Sequence, residues 1–101
     1  MVQPVTWINI FEVPADRAEE FSAIWRDVFA PHFSAKPGFV SYRMHQATSP
    51  DARFRFVNVT LWESAEHIAA AHDERFRELL SHPALNEITA HPGIYEVISE
   101  G

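Results

Sequence analysis

Two asparagines stand in segments of the sequence where aromatic residues recur at alternate positions. Asn9 alternates with Trp7 and Phe11, and Asn58 precedes Trp62 by four residues. Side chains two or four residues apart on a β-strand point to the same face, so each carboxamide would lie beside aromatic rings. A buried amide needs a hydrogen-bonding partner, which can be the protein itself or a bound ligand. Both positions are therefore candidates for a ligand-binding surface.

A histidine occupies the apolar stripe of a segment with helical spacing. The stripe recurs every three or four residues, as Ile68, His72, Phe76 and Leu79. Ser64 is the expected N-cap of this helix, and the sequence at residues 82–83 should end it. Imidazole exchanges a proton near neutral pH, so His72 is the candidate general base by residue type. Four other histidines lack ligand spacing and are expected at the surface or in loops: His32, His45, His67 and His91.

Alternation and turn residues predict the elements that must position these groups. Strands are expected at residues 5–13, 39–48, 54–62 and 94–99, the middle pair joined as a hairpin through residues 49–52. Pro92 and Gly93 should introduce the last strand.

The remaining element is an amphipathic helix between the first two strands. Its apolar stripe is Phe21, Ile24, Trp25, Val28 and Phe29. Asp16 and Glu19 have the spacing of a capping box at its start. Pro31 is expected to end or kink the helix near Phe29, because proline breaks the hydrogen-bond ladder of a helix interior.

The order β-α-β-β-α-β predicts a ferredoxin-like α+β fold, in which a four-stranded antiparallel sheet carries two helices on one face. Its first and third strands are neighbours, so Asn9 and Asn58 can face one cavity with His72 above them. A mostly apolar pocket with a few convergent polar groups is the usual form of a small-molecule site. Both faces of these strands are apolar, whereas the helices cover one. A second copy is expected on the other face, which gives a homodimer of facing sheets.

The composition fits one globular domain, residues 1–101, and excludes several classes of protein. Acidic residues number 14 against 8 Lys and Arg, a net charge of −6, with no basic cluster for nucleic acid. No apolar run is long enough for a membrane span, and the first residues lack the pattern of a secretory signal. The absence of cysteine excludes disulfides and cysteine–metal sites and fits a cytoplasmic protein.

A larger set of residues resembles one known family. Residues 54–64, Phe-Arg-Phe-Val-Asn-Val-Thr-Leu-Trp-Glu-Ser, are followed by a helix that carries Ala71 and His72. Further matches lie along nearly the whole chain: Val13-Pro14, Phe21, Pro37-Gly38-Phe39 and Tyr95-Glu96-Val97. The set resembles the antibiotic biosynthesis monooxygenase family, which implies a dimeric α+β barrel.

One group of that family oxidises polycyclic phenols to quinones with molecular oxygen and without metal, flavin or haem. It uses an Asn and a Trp four residues apart on the third strand, which Asn58 and Trp62 match. The resemblance therefore implies a cofactor-independent monooxygenase, with a small aromatic substrate and O2 as its partners. The tyrosine that this group carries on the second helix is missing here, and Ile68 stands near its place.

The expected catalytic set is Asn58, Trp62 and His72. The carboxamide and the indole N–H can donate hydrogen bonds to a developing oxyanion, and His72 can take the proton that they cannot. The expected substrate-binding set stacks on a flat ring and keeps water out; it consists of Asn9, Trp7, Phe11, Phe21 and Trp25. Neither a cofactor nor a metal is expected.

Two alternatives remain open at this point. Haem-degrading members of the family use an Asn on the first strand with a Trp and a His from the second helix. Asn9 matches that Asn, whereas Ala71 stands at the Trp position, and His72 or His82 could ligate iron. The other alternative is a barrel without catalysis, or a cyclase-like helper, that binds a small aromatic metabolite.

Overall fold

The computed structural model describes residues 3–101. The strands are β1 Val5–Glu12, β2 Phe39–Gln46, β3 Phe56–Trp62 and β4 Thr89–Tyr95. The helices are α1 Ala18–Ile24, α2 Ala30–Ser34, α3 Ala65–Ala71 and α4 Glu74–Leu79. All strand pairs are antiparallel, in the sheet order β2-β3-β1-β4. The predicted ferredoxin-like α+β fold is confirmed.

The two central strands place the candidate amides side by side. β1 and β3 pair in a register that sets Asn9 directly opposite Asn58. On the same face, Trp7 lies opposite Thr60, and Val5 lies opposite Trp62. The predicted adjacency of the first and third strands is therefore correct, and it brings the polar positions of both strands to the middle of the sheet.

The first helical segment is longer than predicted and differs in its middle. A π-helical turn, Trp25–Phe29, joins α1 to α2, and in it Ala30 N–H donates to the Trp25 carbonyl five residues back. The chain stays helical to Ser34, so of the predicted end or kink near Phe29 the end does not occur. The wider turn places Pro31 in the first turn of α2, where its missing N–H breaks no bond.

The start of this segment also differs from the prediction. Asp16 lies in a 3₁₀ turn, Ala15–Arg17, that precedes α1. Neither that turn nor α1 has a side-chain hydrogen bond at its N-cap, so the capping box of Asp16 and Glu19 is not formed.

The second helical segment breaks at His72, where one continuous helix was predicted. The Ser64 hydroxyl accepts from His67 N–H at 3.2 Å, which confirms the N-cap of α3. His72 leaves the helical conformation, with φ −87° and ψ 57°. Asp73 then starts α4 as a new N-cap, because its carboxylate accepts from Phe76 N–H at 3.0 Å.

The last strand lies earlier in the chain than the predicted residues 94–99. β4 is Thr89–Tyr95, so Pro92 and Gly93 lie inside it instead of before it, and the residues after 95 are not in a strand. β4 is an edge strand, and proline is tolerated there because its missing N–H can face away from the sheet.

The sheet has one face under the helices and one that they do not cover. Side chains of the covered face, with Phe11 and Phe56 among them, pack against Phe21 of α1. The alternation of β1 and β3 gives the opposite face an apolar centre of half-buried residues: Ile8, Ile10, Val57, Val59 and Leu61. Within residues 3–101, no helix is both long and apolar enough to cross a bilayer.

Phe56 should be a main determinant of stability, since it is 1% exposed and packs on Phe21. Replacement of Phe56 by Ala is expected to lower the free energy of unfolding by about 3–5 kcal/mol, measured by denaturant titration. The matched control is Phe54→Ala, because Phe54 is 42% exposed and its loss should cost under about 1 kcal/mol. Equal losses for the two variants would contradict this description of the core.

Candidate functional site

A cavity of about 470 Å³ lies between the covered face of the sheet and the helices. Its walls are largely aromatic, and a few polar side chains interrupt them. The eight residues predicted for the site from sequence all line it: Trp7, Asn9, Phe11, Phe21, Trp25, Asn58, Trp62 and His72. The structure thus brings the whole predicted set to one chamber, while the role of each residue stays a prediction.

The floor of the cavity carries the two opposed carboxamides. Asn58 is 4% exposed, and its Nδ2 donates to Thr60 Oγ1 at 2.9 Å. The Oδ1 atoms of Asn9 and Asn58 are buried without a hydrogen-bond partner. An unpaired buried polar atom costs about 1–3 kcal/mol, so a hydrogen-bond donor brought to either oxygen would relieve this cost.

Two tryptophans also line the cavity. Trp62, at the end of β3, is 2% exposed and is held edge-on by Phe33 and Phe39, with ring centroids 6.2 and 5.5 Å away. Trp25 belongs to the π-helical turn and packs against Phe29. Its Nε1 is buried and has no acceptor. The apolar walls therefore contain an unpaired donor, in addition to the two unpaired acceptors of the floor.

His72 forms part of the cavity wall at the break between α3 and α4. Its ring is stacked on Trp7, with centroids 4.3 Å apart and planes 5° from parallel, and it meets the edge of Phe76. Nδ1 donates to the Ile68 carbonyl at 2.7 Å, which leaves Nε2 as the atom with a free lone pair. Burial lowers the pKa of His72, although the Ile68 hydrogen bond opposes the shift. The ring is therefore a neutral base near pH 7.

A polar cluster fixes the chain just after His72. Lys36 Nζ donates to Asp73 Oδ2 at 2.7 Å, and this bond is the main reason that the pKa of Asp73 falls to about 2. His32 Nε2 donates to the Ala71 carbonyl at 3.0 Å and lies 3.7 Å from Asp73 Oδ1. The His32 side chain is only 6% exposed, so its predicted place at the surface or in a loop is wrong.

Several cavity residues were missed by the reasoning from sequence. Phe33 was not among the predicted site residues, because the first helix was expected to end or kink before it. Tyr42 and Phe39 belong to β2, whose covered face was not assigned to the site. Thr60 shares the face of Asn58 and Trp62, and this shared face was the signal that could have found it. In the described part of the chain, no group of three or more His, Asp or Glu side chains could hold a metal ion.

Fold and cavity together define a ferredoxin-like α+β domain built around a largely aromatic cavity. The chain belongs to the antibiotic biosynthesis monooxygenase family, whose sequence profile matches residues 4–77. No match was found among curated protein sequences.

Solved structures similar to this chain include an oxygenase and a haem degrader. A putative monooxygenase from Shewanella loihica PV-4 is 30% identical, with a TM-score of 0.84 over 99% of both chains. SnoaB of Streptomyces nogalater, a cofactor-independent oxygenase, is 25% identical, with a TM-score of 0.76 over 97% of this chain and 96% of its own. The heme-degrader MhuD of Mycobacterium tuberculosis is 28% identical, with a TM-score of 0.73 over 97% and 99%.

The state of His72 can be measured directly. In a ¹⁵N NMR titration, its midpoint should lie below that of a free imidazole, with the proton on Nδ1 in the neutral form. Because the unfolded chain binds this proton at a higher pH than the folded chain, stability should fall as the pH drops from about 7 to about 5. His72→Phe keeps the ring stack and should lose this part of the pH dependence. A raised midpoint, or a neutral form protonated on Nε2, would contradict the assignment.

Proposed function

We propose that this protein is a cofactor-independent monooxygenase that oxidises a small phenolic aromatic compound with molecular oxygen. The observation that carries the proposal is the buried amide of Asn58, which lines an aromatic cavity, has an oxygen without a partner, and shares a strand face with Trp62 four residues away. SnoaB supports the proposal as a similar chain described as a cofactor-independent oxygenase.

The reaction begins with loss of the phenolic proton, for which Nε2 of His72 is the acceptor in the cavity wall. The resulting anion is electron-rich enough to reduce oxygen. Asn58 and the indole N–H of Trp62 stabilise its charge by donating hydrogen bonds. The aromatic walls hold the ring and exclude water, which strengthens these bonds. The residues assigned to hold the ring and exclude water are Asn9, Trp7, Phe11, Phe21 and Trp25.

The overall change is balanced by the substrate and O2 alone. One oxygen atom becomes a carbonyl at a ring carbon, and the phenol becomes a quinone as it loses the hydrogen of that carbon and its own hydroxyl proton. The second oxygen atom leaves as water with those two hydrogens. All four electrons that reduce O2 come from the aromatic ring, so no external reductant is consumed.

The activity is tested by oxygen uptake with hydroxylated anthrones and naphthols, without added metal or flavin. Asn58→Ala and Trp62→Phe should each lower kcat by about 10²-fold, the loss typical of one oxyanion donor. Asn86→Ala is the matched control, because Asn86 is exposed, lies outside the cavity, and should keep full activity. Unchanged turnover in both cavity variants would rule out the proposed site, and no oxygen uptake with any of these phenols would rule out the proposed function.

A second candidate is haem binding or degradation, which the 28% identity to MhuD favours. Among the residues that line the cavity, His72 is the histidine that could ligate iron, through Nε2. The phenol reaction is preferred because it uses both Asn58 and Trp62, whereas the haem reading assigns them no role. Haemin titration separates the two: a Soret shift that is lost in His72→Phe would support haem. A binder without turnover would show ligand affinity with no oxygen uptake.

We also propose a homodimer in which the uncovered sheet faces meet, within the cytoplasm that the cysteine-free sequence suggests. The centre of that face is apolar, and the chain after β4 carries exposed Val97 and Ile98, which are 53% and 89% accessible. Burial of such surface between two copies is favourable by roughly 25 cal/mol per Å² before the entropy lost on association.

Light scattering on a sizing column should give the mass of two chains for the wild type. Val59→Glu places a charge in the middle of the uncovered face and should shift the mass toward one chain. Ala70→Glu adds the same charge on the exposed side of α3 and should leave the mass unchanged. A monomeric wild type, or a dimer that tolerates Val59→Glu, would contradict this arrangement.

A further inference from the structure

Thr60 is the only described side chain that hydrogen-bonds Asn58. The two residues are two positions apart on β3 and share the cavity face, and Asn58 Nδ2 donates to Thr60 Oγ1 at 2.9 Å. Thr60 is 5% exposed, so this bond lies almost entirely out of water. The cross-strand neighbours of Asn58 are Asn9 and Met44, and neither forms a side-chain bond to it within residues 3–101.

This pair can form its internal bond in two ways. A carboxamide has a donor end and an acceptor end, whereas a hydroxyl can either donate or accept. With Nδ2 on Thr60, the Asn58 oxygen is the unpaired end of the carboxamide and is left to accept from a ligand. After a half-turn about the Cβ–Cγ bond, the Thr60 hydroxyl donates to Oδ1 and the amide N–H₂ is the end left for the ligand. The Asn58–Thr60 bond survives in both arrangements.

The two arrangements match the substrate and the product of the proposed reaction. A phenol hydroxyl donates and needs the oxygen of Asn58, whereas a phenolate or a quinone carbonyl accepts and needs its N–H₂. Hydrogen bonds in a chain polarise one another, so the partner at Thr60 strengthens whichever bond Asn58 makes to the ligand. A residue without a hydroxyl at position 60 would leave one end of the carboxamide unpaired in either direction.

We propose that Thr60 is a positioning residue that lets Asn58 serve as acceptor for the hydroxyl of the substrate and as donor for the oxyanion and the quinone. This inference rests on the proposed function in one respect, namely that Asn58 meets the reacting oxygen. Thr60 itself does not need to contact the ligand. The contribution of Thr60 is to keep the Asn58 amide hydrogen-bonded while the ligand oxygen changes from a hydrogen-bond donor to an acceptor.

The test is equilibrium binding of three ring-matched probes by calorimetry with oxygen excluded: naphthalene, 1-naphthol and 1,4-naphthoquinone. Naphthalene reports packing in the cavity, 1-naphthol requires an acceptor, and the quinone requires a donor. The wild type should bind both oxygenated probes at least as tightly as naphthalene. In Thr60→Val, which keeps the shape of the side chain, both oxygenated probes should weaken by about fivefold and naphthalene should stay unchanged.

Thr60→Ser restores the hydroxyl and should bind all three probes within about twofold of the wild type. Thermal unfolding of each variant checks that the fold is intact, and Met44→Leu, beside Asn58 on β2, is the volume-matched control that should leave the three affinities in place. The proposal is overturned if the wild type rejects one oxygenated probe, if Thr60→Val binds as the wild type does, or if serine fails to rescue. Because no turnover is involved, a protein that shows this pattern but consumes no oxygen would refute the proposed oxidation and leave the role of Thr60 standing.

Discussion

The structure depends on how two carboxamides are accommodated in the middle of an apolar sheet face. Asn9 and Asn58 oppose each other on the central strands, and each keeps a buried oxygen without a partner. Hydrocarbon packed directly against these atoms would leave them unpaired at a cost comparable to a large share of the net stability of a small domain. Instead of close-packed side chains, a cavity separates the aromatic residues of the helices from this part of the sheet.

The part of this arrangement that the sequence could predict follows from strand periodicity and topology. A period of two puts Trp7, Asn9 and Phe11 on one face without knowledge of any partner. The order of elements then makes the first and third strands neighbours, which brings Asn9 toward Asn58. His72 could be assigned to the covering helix from its apolar stripe alone. These steps use local regularities, which is why the eight predicted site residues all reach one cavity.

The features that escaped prediction are set by contacts between distant segments. The residues near Pro31 do not predict the π-helical turn that precedes it. Because the helical chain continues through this turn, it includes Phe33, which lines the cavity. The break at His72 depends on Asp73, which caps α4 while it binds Lys36 from the end of the first helical segment. His32 is buried by the same contacts. The residue pattern of one segment does not predict these features. Each of them depends on how that segment packs against another element, and such packing can override local preference.

Pro92 in the middle of β4 has a consequence for the sheet as a whole. β4 is an outer strand, and outer strands present rows of free N–H and C=O groups to which another chain can add. A proline removes one donor from the strand, and Gly93 beside it packs under the Tyr95 ring. The edge of the sheet is thereby interrupted near the middle of β4, which disfavours the addition of a strand from another chain at this edge.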